Sequence, residues 1–268
     1  MSTEEQPRKT ITRRQALGVL GLAGVAGLGV IAGCGGGDDP ATGTPTTTSG
    51  ATKTASSGAT ATASPAATAA PTSAAVIACV VTPALTEGPY FVDEMLNRSD
   101  IRSDPTSGAI SDGVPLVLTV RVYNTGAGCA PVSGAHVDIW HCNAEGLYSD
   151  ESANGTVGQK FLRGYQVTDG DGDATFTTIY PGWYSGRTVH IHFKVRTYDG
   201  SSKTYEFTSQ LFFDDSLSDQ VFSGAPYSAR PNRDTRNSND NIYDDMMLMN
   251  VTQSEGTYTS TFDIGLQM

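Results

Sequence analysis

The chain has 268 residues, with 28 acidic against 17 basic side chains and a formal net charge of −11 at pH 7. That balance argues against nucleic acid and against an anionic membrane surface as partners. The acidity is that of a protein kept soluble outside the cell.

The N-terminus carries Thr12-Arg13-Arg14-Gln15-Ala16-Leu17, an uncharged apolar run to Ile31, and then Ala32-Gly33-Cys34. A basic flank, a short apolar core and a small-residue site describe an export signal, and the paired arginines point to the twin-arginine route. Cys34 after Ile31-Ala32-Gly33 resembles the bacterial lipobox, in which the thiol is lipidated and becomes the mature N-terminus. An uncleaved membrane anchor is the alternative, but the run is Gly-rich and short for a span. Residues 1–33 are therefore expected to be a signal. The protein is expected at the cell envelope or its extracellular face, touching the membrane only through lipidated Cys34.

Apart from Cys34 and Lys53, residues 34–75 are Gly, Asp, Thr, Ala, Ser and Pro, with almost no large apolar side chain. Such a composition buries too little surface to offset its ordering entropy and reads as a tether. Residues 76–268 then suit one domain with a proper core. Without the leader's four basic and two acidic residues, 13 basic face 26 acidic side chains, a net charge near −13. Cys79, Cys129 and Cys142 match no zinc spacing. In an oxidising compartment one disulfide and one free thiol are expected, with the pairing open and Cys79 the favoured partner.

Within the domain, alternating Val, Ile, Thr, Phe and Tyr predict strands over 114–123, 135–141, 174–179, 188–197, 205–213 and 258–264. Turn signals separate them, and the pattern predicts an all-β, antiparallel β-sandwich. Helix is confined to short turns near 217–222 and 244–248. Asp169-Gly170-Asp171-Gly172 resembles a calcium loop, but it lacks the flanking helices and closing glutamate of an EF-hand and reads as a plain turn.

The chain has four histidines, and two stand one residue apart in Arg187-Thr188-Val189-His190-Ile191-His192. A strand points residues i and i+2 to the same face, so His190 and His192 can reach one ion together. Tyr148 and Tyr184 each follow a strand and a turn, where a β fold places its functional loops. Two phenolates and two imidazoles form an N₂O₂ set, whose anionic oxygens favour ferric over ferrous iron. Taken singly, each residue has a plain reading: a packing tyrosine, a surface His-x-His, a rim cation at Arg187, a satisfied strand glutamine at Gln210. His141, beside Trp140 and Cys142, reads as packing, and His136 as exposed.

These residues resemble the intradiol ring-cleaving dioxygenases, the family of protocatechuate, catechol and hydroxyquinol dioxygenases. The resemblance runs from Leu85-Thr86-Glu87-Gly88-Pro89-Tyr90-Phe91 to Gln210-Leu211-Phe212-Phe213. It is most specific over Asp138 to Tyr148, Thr178 to Tyr184, and Arg187 with His190-Ile191-His192. It implies a ferric ion held by Tyr148, Tyr184, His190 and His192, with Tyr184, Arg187 and Gln210 serving catalysis. Tyr90, Tyr180, Trp183 and Arg187 are implied to line the ring pocket. The substrates implied are a small aromatic diol and O₂, and the oligomeric state is left open. Family members often have a longer loop between the second tyrosine and the arginine and Arg-Pro-Ala before the first histidine. Here only Ser185 and Gly186 intervene, and Arg187-Thr188-Val189 precedes His190, which implies a more open pocket mouth.

Two other readings compete: a non-catalytic tethered binding module, and a Zn²⁺ or Cu²⁺ hydrolase at the histidine pair. A binding module has no need of all four donors. A hydrolase lacks a carboxylate base beside the histidines. No Gly-x-Ser-x-Gly elbow supports a serine esterase.

Overall fold

The structure, a computed structural model, describes residues 79–230 and 232–268. The signal, Cys34 and the tether, expected over 1–75, lie outside the described residues.

The described chain is mostly strand, with one α-helix. In chain order the strands are β1 (Pro115–Asn124), β2 (Ala130–Pro131), β3 (His136–Trp140), β4 (Arg163–Val167), β5 (Asp173–Ile179), β6 (His190–Asp199) and β7 (Ser202–Phe212). The helix α1 (Asp215–Phe222), β8 (Val251–Ser254) and β9 (Thr257–Leu266) follow. Asp214 caps α1, its carboxylate accepting from the amides of Ser216 and Leu217. One sheet has the order β2-β1-β9-β8, with β5 also paired to β1, and the other has the order β4-β3-β6-β7.

The expectation of wholly antiparallel pairing needs correction. β1 and β9 run parallel, from Leu116 opposite Tyr258 to Asn124 opposite Leu266. Local hairpins enforce antiparallel neighbours, but β9 reaches β1 from the far end of the chain and no tight turn constrains its direction.

Alternation assigns the faces. Leu116, Leu118, Val120 and Val122 of β1 are buried, as are Val137 and Ile139 of β3 and Ile191, Phe193 and Val195 of β6, and all belong to one apolar cluster drawn from both sheets. Because Ile191 and Phe193 point into that core, His190 and His192 point the other way. That opposite face is also covered, for both imidazoles are buried.

The cover comes from the N-terminal part of the domain. Leu85 donates its amide to Thr208 O, and Arg98 donates its own to Tyr165 O, so residues 85–98 cross the second sheet. Phe91 packs on Trp140 with ring centroids 4.8 Å apart, and Arg196 reaches Asp93 at 2.6 Å. A disulfide joins Cys79 to Cys129, and Cys142 is free and buried. Asp169 organises the turn before β5, its Oδ1 accepting from the amides of Asp171 and Asp173, both at 2.9 Å. His136 is half-buried rather than exposed, because its ring stacks on Tyr165 at 4.7 Å.

Candidate metal centre

Strand β6 supplies two imidazoles from one face. His190 Nδ1 lies 2.6 Å from Thr188 O, and a carbonyl only accepts, so Nδ1 carries the proton and Nε2 presents a lone pair. His192 Nε2 lies 3.0 Å from that atom. Trp140 backs the His192 ring in a near-parallel stack at 5.0 Å. Gly88 closes over it, since a Cβ there would stand 3.3 Å from His192 Cε1.

Two turns bring in the phenols. After β3 the chain reverses at Asn143, whose Oδ1 accepts from the amides of Glu145 and Leu147, and delivers Tyr148. After β5 the stretch Pro181–Tyr184 delivers Tyr184. The turns touch at Gly146, which has φ +79° and would place a Cβ 2.1 Å from Trp183 O. Only glycine satisfies both the left-handed backbone and that approach. Tyr148 is fully buried and stacks on Tyr90 at 4.4 Å, whereas Tyr184 is half-buried with its ring edge-on to Tyr148.

The two phenol oxygens end on the same nitrogen. Tyr184 Oη lies 3.1 Å and Tyr148 Oη 3.4 Å from His190 Nε2. With His192 Nε2 beside them, three polar atoms crowd a single lone pair, which can serve only one donor. A cation among them removes the conflict by taking a lone pair from each of the four. Burial pushes Tyr184 up to about 12 and Tyr148 well above the usual phenol range. It pushes His190 down to about 3 and His192 well below the usual imidazole range. All four groups are therefore neutral before any metal enters, and a highly charged ion can ionise the phenols as it binds. The donor set fits ferric iron.

Arg187 and Gln210 stand next to this cluster. Gln210 lies opposite His192 in the β6–β7 register, accepts Arg187 Nη2 at 2.5 Å and donates from Nε2 to Thr86 O at 2.7 Å. The structure thus brings Tyr148, Tyr184, His190, His192, Tyr90, Arg187 and Gln210 into one neighbourhood.

It places two other residues elsewhere. Tyr180 sits in the main core against Phe213, with its hydroxyl 2.8 Å from Ser218 Oγ. Trp183 stacks under Arg230 at 4.3 Å and lines a pocket of about 320 Å³ with Phe222, Tyr227 and Arg233, a pocket that none of the four donors lines. His141 is a satisfied core histidine, with Nδ1 donating to Cys142 O at 2.9 Å and Nε2 accepting from Thr178 Oγ1 at 2.7 Å.

Sequence reasoning passed over Thr188 as the acceptor that orients His190, Trp140 as the backing of His192, and Asp240 as the partner of Arg187. The first two lie inside motifs already singled out. Asp240 lies 53 residues beyond Arg187 with nothing local to mark it.

The family model described as "Dioxygenase" matches residues 86–267. The chain is 30% identical over 160 residues to catechol 1,2-dioxygenase 1 of Acinetobacter lwoffii, covering 50% of this chain and 49% of that one. It is 34% identical over 145 residues to the protocatechuate 3,4-dioxygenase beta chain of Burkholderia cepacia, covering 47% and 59%. The chain thus spans roughly half the length of these relatives. Among solved structures, the intradiol ring-cleavage dioxygenase of Tetranychus urticae superposes with a TM-score of 0.61 at 30% identity, over 70% of this chain and 95% of that chain. The chain belongs to the intradiol ring-cleavage dioxygenase family.

Proposed function

We propose that this chain is a non-haem Fe(III) dioxygenase with the two-sheet β-sandwich of its family. It would cleave a catechol-type ring between the two hydroxylated carbons, using O₂, to give a cis,cis-muconate-type product. One observation carries the reading: both phenol oxygens and both imidazole Nε2 atoms meet around His190 Nε2.

Ferric iron held by Tyr148, Tyr184, His190 and His192 would supply Lewis-acid chemistry, lowering the pKa of the phenols and of the diol and making the ring susceptible to O₂. The side chains divide the remaining work. Tyr148, wedged between Tyr90 and the histidines, is the fixed donor. Tyr184 is the half-buried one, and its Oη would accept a proton from the incoming diol. Arg187 holds positive charge beside the donors and stabilises the negative charge that develops on the ring. Tyr90 offers an aromatic face beside Tyr148. Gln210 holds Arg187.

The Arg13-Arg14 leader and the Ile31-Ala32-Gly33-Cys34 run support export and lipid anchoring at Cys34. A Cys34→Ser chain is then expected in the soluble fraction, and an unchanged membrane fraction would count against the anchor. The activity is tested by oxygen uptake over catechol, protocatechuate, hydroxyquinol and bulkier diphenols. A cis,cis-muconate-type product with one O₂-derived oxygen in each new carboxylate is expected. A yellow semialdehyde would mean cleavage outside the diol and defeat the assignment.

A further inference from the structure

Arg187 has little local support. It follows the exposed Ser185–Gly186 turn, and its own amide makes only a 3.4 Å contact with Tyr184 O. An arginine so placed would sample many rotamers, and a charge that must face one ring position needs a fixed direction. Residues 234–240 lie against the turn, and Asp240 among them supplies that direction. Asp234 accepts from Ser185 Oγ at 2.6 Å and from the Gly186 amide at 3.2 Å. Asp240 Oδ2 accepts from Arg187 Nε at 2.9 Å and from the Thr188 amide at 2.8 Å, while its Oδ1 accepts from the Ile242 amide at 2.8 Å.

We propose that Asp240 is the positioning residue for Arg187, fixing the plane of its guanidinium relative to the metal ligands. The Asp240 side chain is 1% exposed and that of Arg187 14%, so each is the charge partner that makes the other's burial tolerable. A guanidinium is planar, and two anchored N–H groups define its plane. Asp240 takes Nε and Gln210 takes Nη2, which leaves the Nη1 edge for a substrate. Thr188 links this arrangement to the metal centre, because its amide is held by Asp240 and its carbonyl takes the proton of His190 Nδ1. Burial alone would raise the Asp240 carboxyl, but the Ile242 and Thr188 amides and the Arg187 guanidinium hold it below the usual carboxylate range, so it is ionised. The carboxylate does for the arginine what a longer flanking loop would otherwise have to do.

The proposal rests on the dioxygenase reading, and the test separates the two. Full-length iron-loaded chain carrying Asp240→Asn should keep its iron and its colour while kcat for catechol falls on the order of tenfold to a hundredfold, with KM changed by less than about threefold. In an Arg187→Gln background, adding Asp240→Asn should cost less than about a further twofold, because the two residues act as a unit. Asp234→Asn, which loosens the same turn without touching Arg187, should leave kcat unchanged. Where Asp240→Asn does not fold, Asp240→Glu keeps the charge and both acceptors but moves the carboxylate by one methylene, and the same loss at full iron content is expected. Binding of 4-nitrocatechol, followed by its absorbance, gives a readout without turnover and should change by less than about threefold in Asp240→Asn. Wild-type kcat in Asp240→Asn, a loss that adds in full to that of Arg187→Gln, or loss of iron overturns the proposal. A wild-type chain that neither binds the diol nor takes up oxygen overturns the dioxygenase reading instead, and this proposal with it.

Discussion

His141 is set apart from the two histidines proposed to hold the metal, and its removal has a calculable signature. Burial depresses its pKa to about 4, against an ordinary 6.5, with its two hydrogen bonds suited to the neutral ring. The fold therefore binds fewer protons at this site than the unfolded chain between those two values. Stability contributed here is whole above about pH 6.5, falls as pH drops towards 4, and is level below. That gap corresponds to about 3 kcal/mol, most of it lost by pH 4.5. The assay is urea unfolding of iron-free wild type and His141→Ala at pH 7.5 and 4.5. His190 and His192 remain in both chains and feel His141 only weakly, so the difference of differences is dominated by His141. The variant should start roughly 2–3 kcal/mol less stable, having lost packing and left Thr178 Oγ1 without its partner. It should then lose roughly 2–3 kcal/mol less on acidification. Iron-loaded His141→Ala should keep colour and turnover. Equal acid sensitivity in the two chains would refute the buried neutral imidazole, and bleaching of the variant would refute the ligand assignment.

Gly146→Ala forces a Cβ into the Trp183 carbonyl and strains a left-handed residue, so a loss of roughly 2–4 kcal/mol and of most bound iron is expected. Gly200→Ala, at φ +59° with open space around it, should cost only about 1 kcal/mol and leave iron unchanged. Near-equal effects in calorimetry and metal analysis would remove the role given to the contact between the two tyrosine-bearing turns. Reduction of Cys79–Cys129, which closes a loop of 50 residues, should lower unfolding stability by about 4 kcal/mol without affecting the metal. Loss of iron on mild reduction would contradict a purely structural bridge.

What could be read in the sequence was local. Period-two alternation put His190 and His192 on one face, and turn residues before Tyr148 and Tyr184 put both phenols on loops. The less legible features arise between distant segments. β9 lies parallel to β1 because a remote strand carries no hairpin to fix its direction. β4 is short and begins at buried Arg163, whose guanidinium donates to Ser149 O at 2.6 Å, so its pattern resembles no half-buried strand. β8 is mostly exposed and shows no apolar alternation. Tyr180 shares a motif with Tyr184, yet its hydroxyl is satisfied by Ser218 of α1 and its ring fills the core, which adjacency in sequence cannot reveal. Asp240 is hard to find in the sequence because two of its donors, the Arg187 guanidinium and the Thr188 amide, lie more than 50 residues away.

The central claim is the joint hold of Tyr148, Tyr184, His190 and His192 on one ferric ion. Iron analysis combined with visible absorption of the purified chain and its Tyr148→Phe variant tests it most directly. The expected result is one iron per chain with a burgundy tyrosinate-to-iron band, both largely lost in the variant. A colourless chain replete with iron, or a variant that keeps its full colour, would contradict it.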